Sequence, residues 1–368
     1  MNSNQKEKHG GNLYAAMRSC GGALTDFLDF SANINPLGLS QGVRKALLLA
    51  MDAVICYPDP DAADFKQAVA NYYQVQPRNI EAGNGAVELI YLLCRALSPE
   101  RVVIPAPTFS EYAAAGRAAG LPVKYTELCP EGDFNPDLET LTRQLRRQDL
   151  LFICNPNNPT GAVLTRDQLE PLIQAASSVG AHVVVDESFI DFRPAGAQES
   201  CRSLVGRYAG LSVLHSLTKF LAIPGLRLGF LLTAENLAQK LRSLRDPWNV
   251  NVMAQAAGVS GLADLDYRQQ TIELVQQQKE YLFQEFQKLP GFRPLPPSVN
   301  FMLADIRGSG RDAGRLQQEL WPQRIMIRNC ENFIGLSSSY IRVAVKSPAE
   351  NRRLVKVLKK LIYGEDVQ

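Results

Sequence analysis

Short runs of apolar residues recur through the middle of the chain, and they are continuous rather than alternating. Continuous runs are typical of strands that are buried on both faces of a sheet. Stretches with helical spacing of apolar residues separate them, so strands and helices alternate. This order predicts an α/β fold with a mostly parallel sheet between helices. The predicted strands are 101–104, 150–154, 182–185, 211–214 and 228–232, and two of the predicted helices are 85–97 and 166–178.

The last third of the chain has a different pattern. From 265 to 289 it is polar and rich in glutamine, with apolar residues at helical spacing, which predicts one long helix with an exposed face. The proline-rich segment 290–297 ends that helix. A smaller α+β domain is predicted from three strand-like pieces and a terminal amphipathic helix, at 299–304, 324–328, 340–345 and 348–362.

Composition and charge exclude several classes of protein. With 46% hydrophobic and 21% charged residues, the chain has the composition of a globular protein with a sizeable core. The net charge of +2, without a long basic run, argues against a general nucleic-acid or membrane surface. No segment approaches the ~18 apolar residues that a membrane span needs. The seven cysteines have no CxxC spacing, so we expect reduced thiols, no metal site and a cytoplasmic location.

Polar residues follow the predicted strands. The run 150–154 is followed by a loop that contains Asn158, and the run 182–185 is followed by Asp186. Ser216, Thr218 and Lys219 come just after the run 211–214. In an open α/β sheet the carboxyl ends of the strands form the ligand crevice, so we expect these side chains to converge there.

Each of these features also has an ordinary structural interpretation. The Asn-Pro-rich loop is dense in turn formers, and Asp186 is as well suited to cap a helix as to bind a ligand. The turn at Gly83 and Gly85 before a helix is a weak phosphate-loop signal when taken alone. Their occurrence together, each at a strand end, favours a shared site.

One cofactor accounts for all of these parts. A lysine in a dry pocket forms a Schiff base with an aldehyde, and an aspartate facing a pyridine nitrogen keeps it protonated. A glycine turn that opens a helix, with two hydroxyls and an arginine, holds a phosphate. Pyridoxal 5'-phosphate has all three groups. Neither GxGxxG nor GxxxxGK[ST] is present, which disfavours dinucleotides and ATP.

The same motifs extend to a family resemblance. The chain resembles the fold-type I pyridoxal-phosphate enzymes, and within them the histidinol-phosphate aminotransferase branch. The segments that carry this are AGNGAVE (82–88), PTFSEY (107–112), NPNNPTG (155–161), DESFIDF (186–192), SLTKFLAIPGLRLG (216–229) and RVAVKS (342–347). HGGN (9–12), DFSANINPLG (29–38) and the lysine segment make it most similar to the threonine-phosphate decarboxylases of cobalamin biosynthesis.

The resemblance implies a role for individual residues at the cofactor. Lys219 is implied to be the catalytic residue that bonds to the cofactor aldehyde, with Asp186 on the ring nitrogen and Asn158 on the ring hydroxyl. The implied phosphate-binding residues are Gly85, Ala86, Ser216, Thr218 and Arg227. Phe109 is implied to stack on the ring. Tyr57 matches a tyrosine that reaches the cofactor phosphate of the other subunit, which implies a homodimer with shared active sites.

The resemblance also implies how the substrate is held and how the chain is divided. The implied substrate-binding residues are His9, Gly10, Asn33, Asn158, Arg328 and Arg342. A phosphorylated amino acid has two anionic groups and needs several cationic or N–H donors. We expect an N-terminal arm (1–40) that contributes to the small domain and the active site, a large cofactor-binding domain (41–260) and a small C-terminal domain (261–368).

The implied reaction is the decarboxylation of L-threonine O-3-phosphate to (R)-1-amino-2-propanol O-2-phosphate. Phe189 supports it, because aminotransferases of this branch usually have tyrosine there and the decarboxylases tend to have phenylalanine. The alternative is a histidinol-phosphate-type aminotransferase, and a non-catalytic cofactor-binding protein is disfavoured by the lysine. The sequence leaves open phosphothreonine against phosphoserine, oligomers beyond a dimer, and which of Arg328 and Arg342 holds the phosphate.

Overall fold

The computed structural model describes residues 10–364 of the chain. The helices are α1 Leu13–Cys20, α2 Gln41–Ala50, α3 Ala63–Tyr73, α4 Ala86–Leu97, α5 Glu111–Ala118, α6 Leu138–Gln144, α7 Arg166–Val179, α8 Gly196–Glu199, α9 Leu217–Phe220, α10 Glu235–Leu244, α11 Val252–Ala263, α12 Leu265–Gln287, α13 Ala313–Leu320 and α14 Pro348–Tyr363. The strands are β1 Leu28–Asp29, β2 Ile80–Asn84, β3 Arg101–Ala106, β4 Val123–Glu127, β5 Asp149–Cys154, β6 His182–Asp186, β7 Leu211–Ser216, β8 Leu228–Leu232, β9 Arg293–Pro294, β10 Phe301–Asp305, β11 Ile325–Met326, β12 Arg328–Asn329 and β13 Tyr340–Ala344.

A seven-stranded sheet in the order β2-β8-β7-β6-β5-β3-β4 forms the larger part of the fold. Its strands are parallel to one another except β8, which is antiparallel to both β2 and β7. All five predicted strands of this part are present. The sequence pattern missed β4, none of whose residues is fully buried, and β2, whose apolar run is interrupted by Glu81 and Gly83.

Both faces of this sheet are covered by apolar side chains. Along β6, Val183 and Val185 join the hydrophobic cluster on one face, and Val184 joins the cluster on the other. Alternation of side chains along a strand produces this division. The continuous apolar runs therefore mark the strands that lie between two helical layers, as the sequence pattern predicted.

A separate four-stranded antiparallel sheet, β12-β13-β10-β9, belongs to the C-terminal part. Its core includes residues from α12, α13 and α14. The predicted single strand 324–328 is in fact two short strands. Ile325 and Met326 pair with β1 of the N-terminal arm, whereas Arg328 and Asn329 pair with β13, so the chain changes partner at Ile327.

Helix α12 links the two parts. Tyr267 and Val275 lie in the core beneath the large sheet, and Leu282 and Phe286 lie in the core of the C-terminal sheet. The domain boundaries predicted at 40 and 260 stay a prediction. Between residues 10 and 364, no helix combines the length and the apolar character needed to cross a bilayer.

Candidate active site

The start of α4 and the start of β8 form one end of the site. Gly85 has φ +78° and precedes the helix, and no side chain of the cap residue accepts from the first N–H groups of α4. A Cβ at Gly85 would lie 2.6 Å from Nη2 of Arg227. The backbone of Arg227 is itself in the left-handed region, at φ +62°, which is a strained conformation for a non-glycine residue. Backbone donors and a cation therefore meet here.

The end of β7 adds two hydroxyls and the lysine. Oγ of Ser216 lies 2.7 Å from Oγ1 of Thr218, and Nζ of Lys219 donates to Thr218 Oγ1 at 3.3 Å. Ser216 pairs with Gly229 of β8, where a Cβ would lie 2.6 Å from the backbone nitrogen of Ala86. The hydroxyls thus adjoin the start of α4.

Lys219 lies among charged groups at the edge of the sheet. Burial lowers its pKa to about 8, and Arg227 and Arg342 act in the same direction, whereas Asp186 opposes them. A larger share of the lysine is therefore neutral near pH 7 than for an ordinary lysine, and the neutral amine is the form that attacks an aldehyde.

Asp186 is a buried carboxylate at the end of β6, with 3% of its surface exposed. The hydroxyl of Tyr112 donates to Oδ2 at 2.6 Å, and the backbone N–H and the hydroxyl of Ser188 both donate to Oδ1, at 2.9 and 2.5 Å. Burial raises the pKa of Asp186, and the bonds from Ser188 and Tyr112 oppose this. Asp186 thus forms a local turn with Ser188 rather than a helix cap, and its role at the ring nitrogen stays a prediction.

The loop after β5 is held by its asparagines. Asn155 Nδ2 donates to the carbonyl of Leu164 at 2.8 Å, and Asn157 Nδ2 donates to the carbonyl of Pro107 at 2.9 Å. These bonds fix the loop and leave Asn158 to face the site, where its Oδ1 accepts from Nη1 of Arg342.

Arg328 and Arg342 are direct partners across the β12–β13 pair, so both guanidinium groups lie on one face of the sheet. Both are buried, at 8% and 6% exposure, and neither forms an ion pair with a carboxylate of residues 10–364. The pKa of Arg342 is lowered to about 10, mainly by burial and also by the neighbouring Arg328, whereas Cys330 and Asp29 act in the opposite direction. Two buried cations that form no ion pair are costly unless an anionic ligand binds them.

The N-terminal arm closes the same pocket. Nη2 of Arg342 donates to the carbonyl of Ser31 at 2.7 Å, and a Cβ at Gly10 would lie 2.3 Å from that carbonyl oxygen. Asn33, two positions further along the arm, is also buried, and its Oδ1 has no hydrogen-bond partner among the described residues; the same is true of Nε of Arg342. An unused acceptor and an unused donor thus remain for a ligand. His9 lies outside the described residues.

Three predicted aromatic positions have different surroundings. Phe109 packs edge-on against Tyr112 at 5.6 Å between ring centroids, next to Asp186. Phe189 is buried and contacts Phe301 edge-on at 5.0 Å. Tyr57 lies on the surface, 78% exposed, where it stacks on Trp248.

These residues fit pyridoxal 5'-phosphate. The uncapped helix start at Gly85, the hydroxyls of Ser216 and Thr218, and Arg227 match a phosphate. Lys219 and Asp186 match an aldehyde and a ring nitrogen. The φ of +78° at Gly85 is a conformation that residues with a side chain rarely adopt, so it favours glycine at that turn. The donor set therefore agrees with the cofactor that the sequence predicted.

Comparison with known proteins agrees with this geometry. The family model for aminotransferases of classes I and II matches residues 25–358. The chain belongs to this family. Threonine-phosphate decarboxylase of Salmonella typhimurium is 37% identical over 97% of each chain, and histidinol-phosphate aminotransferase of Methanosarcina mazei is 31% identical over 89% of this chain and 86% of its own. The crystal structure of histidinol-phosphate aminotransferase from Clostridium acetobutylicum has a TM-score of 0.83 at 29% identity, and the match covers 92% of this chain and 100% of the other.

The comparisons confirm several predictions. The fold is that of the fold-type I enzymes, the cofactor is pyridoxal 5'-phosphate, and the resemblance to the threonine-phosphate decarboxylases holds over nearly the whole chain. The protein is therefore a pyridoxal-phosphate-dependent enzyme related to the decarboxylases. The roles of the individual site residues stay predictions.

Three further residues lie at the site although no sequence pattern predicted a role for them. Tyr112 and Ser188 donate to Asp186, and the carbonyl of Ser31 accepts from Arg342. Tyr112 and Ser188 lie within segments that carry the family resemblance, and Ser31 lies in the segment that favours the decarboxylases. A hydroxyl two positions after a strand-end aspartate is a signal of a local turn, and it could have indicated Ser188.

Proposed function

We propose that the enzyme decarboxylates L-threonine O-3-phosphate to (R)-1-amino-2-propanol O-2-phosphate, for the aminopropanol arm of cobalamin biosynthesis. The observation that carries this is the pair Arg328 and Arg342, buried and without a carboxylate partner among the described residues. A phosphorylated amino acid brings a phosphate and a carboxylate to two such cations. The identity of 37% to a threonine-phosphate decarboxylase supports the same choice.

The site residues have two roles, which are to bind the substrate and to transfer a proton. When bound, pyridoxal 5'-phosphate draws electrons from the substrate α-carbon and so allows a carboxylate to leave as CO2. Arg328 and Arg342 hold the two anionic groups and thereby decide which bond at the α-carbon is aligned to break. Nζ of Lys219 then supplies the proton to the α-carbon, which its lowered pKa of about 8 favours because the ammonium gives up a proton more readily.

The arm and the loop after β5 keep the arginines in place. Arg342 is fixed by Asn158 on one side and by the carbonyl of Ser31 on the other, while Arg328 Nη2 donates to Asn332 at 2.6 Å. The guanidinium groups also lie over Phe301 and Phe333. Substrate contacts from Gly10, Asn33 and His9 are part of the proposal. Gly10 is supported by its position against the Ser31 carbonyl that accepts from Arg342, and Asn33 by its buried oxygen without a partner among the described residues.

We also propose that the enzyme is a homodimer in which Tyr57 completes the partner's site. Apolar side chains at the end of α2 and just after it are exposed, with Leu49 at 72% and Ile55 at 92%. An exposed apolar surface of this kind marks an interface. Arg245, held by Glu81 at 2.5 Å, donates to the carbonyl groups of Pro60 and Pro247 and so fixes the segments that carry Tyr57 and Trp248. The cytoplasmic location stays a prediction.

The deciding experiment measures CO2. Purified holoenzyme with carboxyl-labelled phosphothreonine is expected to release labelled CO2 and to form an amino-alcohol phosphate without any 2-oxo acid. Arg328→Gln and Arg342→Gln are expected to raise KM by more than tenfold, because each removes a charged donor. Turnover of histidinol phosphate that needs 2-oxoglutarate, with no CO2 from phosphothreonine, contradicts the proposal and assigns the aminotransferase activity instead.

The lysine has its own test. Borohydride reduction of the holoenzyme is expected to attach the cofactor irreversibly to the peptide that contains Lys219, and Lys219→Ala is expected to abolish the attachment. Lys279→Ala, on α12, is the control and is expected to leave the trapping unchanged. Trapping at another lysine in Lys219→Ala contradicts the assignment.

A further inference from the structure

The carboxylate of Asp186 accepts three hydrogen bonds, which together involve both of its oxygens. Tyr112 donates to one oxygen at 2.6 Å, and the hydroxyl of Ser188 donates to the other at 2.5 Å, in addition to the Ser188 backbone N–H at 2.9 Å. The bond from Tyr112 joins α5 to β6, across 74 positions of the chain. Both oxygens therefore have a fixed direction.

The surroundings of Tyr112 hold its hydroxyl against Asp186, with the thiol of Cys154 also within hydrogen-bond reach. The side chain of Tyr112 is fully buried, and its ring stacks on Phe152 at 4.8 Å between centroids and 6° between planes. Burial raises the pKa of Tyr112 well above its ordinary value, so the hydroxyl keeps its proton. A rigid aromatic ring thus delivers one O–H to one carboxylate oxygen.

The donors matter because burial works against the charge of Asp186. Burial raises the pKa of this carboxyl group, and Ser188 and Tyr112 are the main groups that lower it. The other ionisable groups around it are Cys154 on β5, His215 on β7 and Lys219 on α9. Of these, His215 favours the carboxylate only weakly beside the hydrogen bonds, and the buried thiol of Cys154, with its pKa raised to about 12 by burial, stays neutral.

We propose that Tyr112 and Ser188 are positioning residues that keep Asp186 ionised and oriented, and that they thereby set the affinity of the enzyme for a ring nitrogen that carries a proton. The proposal rests on the role of Asp186 at the cofactor ring nitrogen, which is itself part of the proposed function. It concerns the protein before substrate arrives, so cofactor binding tests it directly.

The test compares two probes on apoenzyme prepared from the holoenzyme: pyridoxal 5'-phosphate, and its analogue with carbon in place of the ring nitrogen. Tyr112→Phe and Ser188→Ala are each expected to weaken binding of pyridoxal 5'-phosphate by about tenfold, since a hydrogen bond to a charged group is lost. Binding of the carbon analogue is expected to change by less than about twofold, because it has no ring proton for Asp186. Ser188→Thr keeps a hydroxyl and is expected to restore the affinity.

The pH dependence is a second readout. Loss of a donor raises the pKa of Asp186 further, so as pH falls the carboxylate is protonated earlier. Affinity for pyridoxal 5'-phosphate is therefore expected to fall at a higher pH in Tyr112→Phe than in the wild type. An unchanged pH profile contradicts the proposal.

Matched controls come from two similar bonds elsewhere in the fold. The hydroxyl of Tyr73 donates to the buried carboxylate of Asp191 at 2.8 Å, and the hydroxyl of Ser200 donates to Glu187 at 2.5 Å. Tyr73→Phe and Ser200→Ala are expected to lower the stability of the enzyme. Any change in affinity is expected to be the same for the two probes. If Tyr112→Phe weakens the binding of both probes equally, the role of Tyr112 is structural and the proposal is overturned.

Asp186→Asn distinguishes the positioning role of Tyr112 and Ser188 from the proposed role of Asp186 at the ring nitrogen, on which it rests. If Asp186→Asn selectively weakens pyridoxal 5'-phosphate but Tyr112→Phe and Ser188→Ala do not, the positioning role is wrong and the role of Asp186 stands. If Asp186→Asn does not separate the probes, both are wrong. Should Tyr112→Phe fail to fold, Ser188→Ala decides the outcome alone.

Discussion

Lys219 shows how a single residue takes its chemistry from its neighbours. Burial favours the neutral amine, and two cations, Arg227 and Arg342, act in the same direction; the carboxylate of Asp186 limits the effect. The result is a pKa of about 8, between the extremes of an ordinary lysine and a fully desolvated one. An amine of this kind is reactive near neutral pH and still able to carry a proton.

This predicts a pH dependence for cofactor attachment. The neutral amine is the nucleophile, so its fraction rises with pH and reaches one half at the pKa. The rate at which apoenzyme bonds to pyridoxal 5'-phosphate is expected to rise through a midpoint near pH 8, as followed by the absorbance of the bound cofactor. A midpoint near the ordinary lysine value of about 10.4 contradicts the lowered pKa of Lys219.

At the scale of elements, the arm after β1 holds the short helix that carries the lysine. The backbone N–H of Asn35 donates to the carbonyl of Lys219 at 3.0 Å, and its side-chain Nδ2 donates at 2.8 Å to both the carbonyl of Phe220 and Oγ1 of Thr271. Asn35 therefore joins the arm, α9 and α12. Helix α9 spans only Leu217–Phe220, so it depends on such external bonds.

Removal of the Asn35 side chain is predicted to lower the stability of the protein. Asn35→Ala leaves buried groups on α9 and α12 without a partner and is expected to lower the free energy of unfolding by about 1–3 kcal/mol. Urea denaturation of the apoenzyme at fixed concentration measures it. Asn71→Ala, which removes an exposed amide on α3, is the control and is expected to stay within about 0.5 kcal/mol of the wild type. Equal effects of the two substitutions contradict the stabilising role of the Asn35 hydrogen bonds.

At the scale of the whole molecule, one apolar surface stands out. Leu48, Leu49, Val54 and Ile55 are each more than half exposed, and Tyr57 continues the same segment. A surface of this kind agrees with the proposed association with a second copy, in which Tyr57 would reach the phosphate site of the partner.

The proposed dimer predicts the effect of a charge on this surface. Ile55→Glu is expected to shift the enzyme towards monomers at micromolar concentration and to weaken cofactor binding, because a buried charge opposes the interface. Sedimentation velocity measures the first effect. Ile334→Glu, at another exposed apolar position, is expected to leave the mass unchanged. If neither substitution changes the mass, this surface is not the interface.

Local patterns were sufficient for most of the framework. The continuous runs identified the buried strands, such as β6, because a strand between two helical layers has no polar face. The spacing in 265–289 predicted α12 to within two residues of its end. Lys219, Asp186 and Asn158 were predicted together because residues that follow parallel strands meet at one edge of a sheet.

The partners of those residues depended on the tertiary structure. Tyr112 is 74 positions from Asp186, and Ser31 is 311 positions from Arg342, and no local pattern relates such pairs. The division of 324–328 between two sheets and the pairing of Arg328 with Arg342 followed from strand register, which the arm and β13 decide. The sequence by itself therefore determined the order of elements and the chemistry of the strand ends, since both are local. Only the tertiary structure decided which donors and charges face one another, because burial and electrostatics act through space.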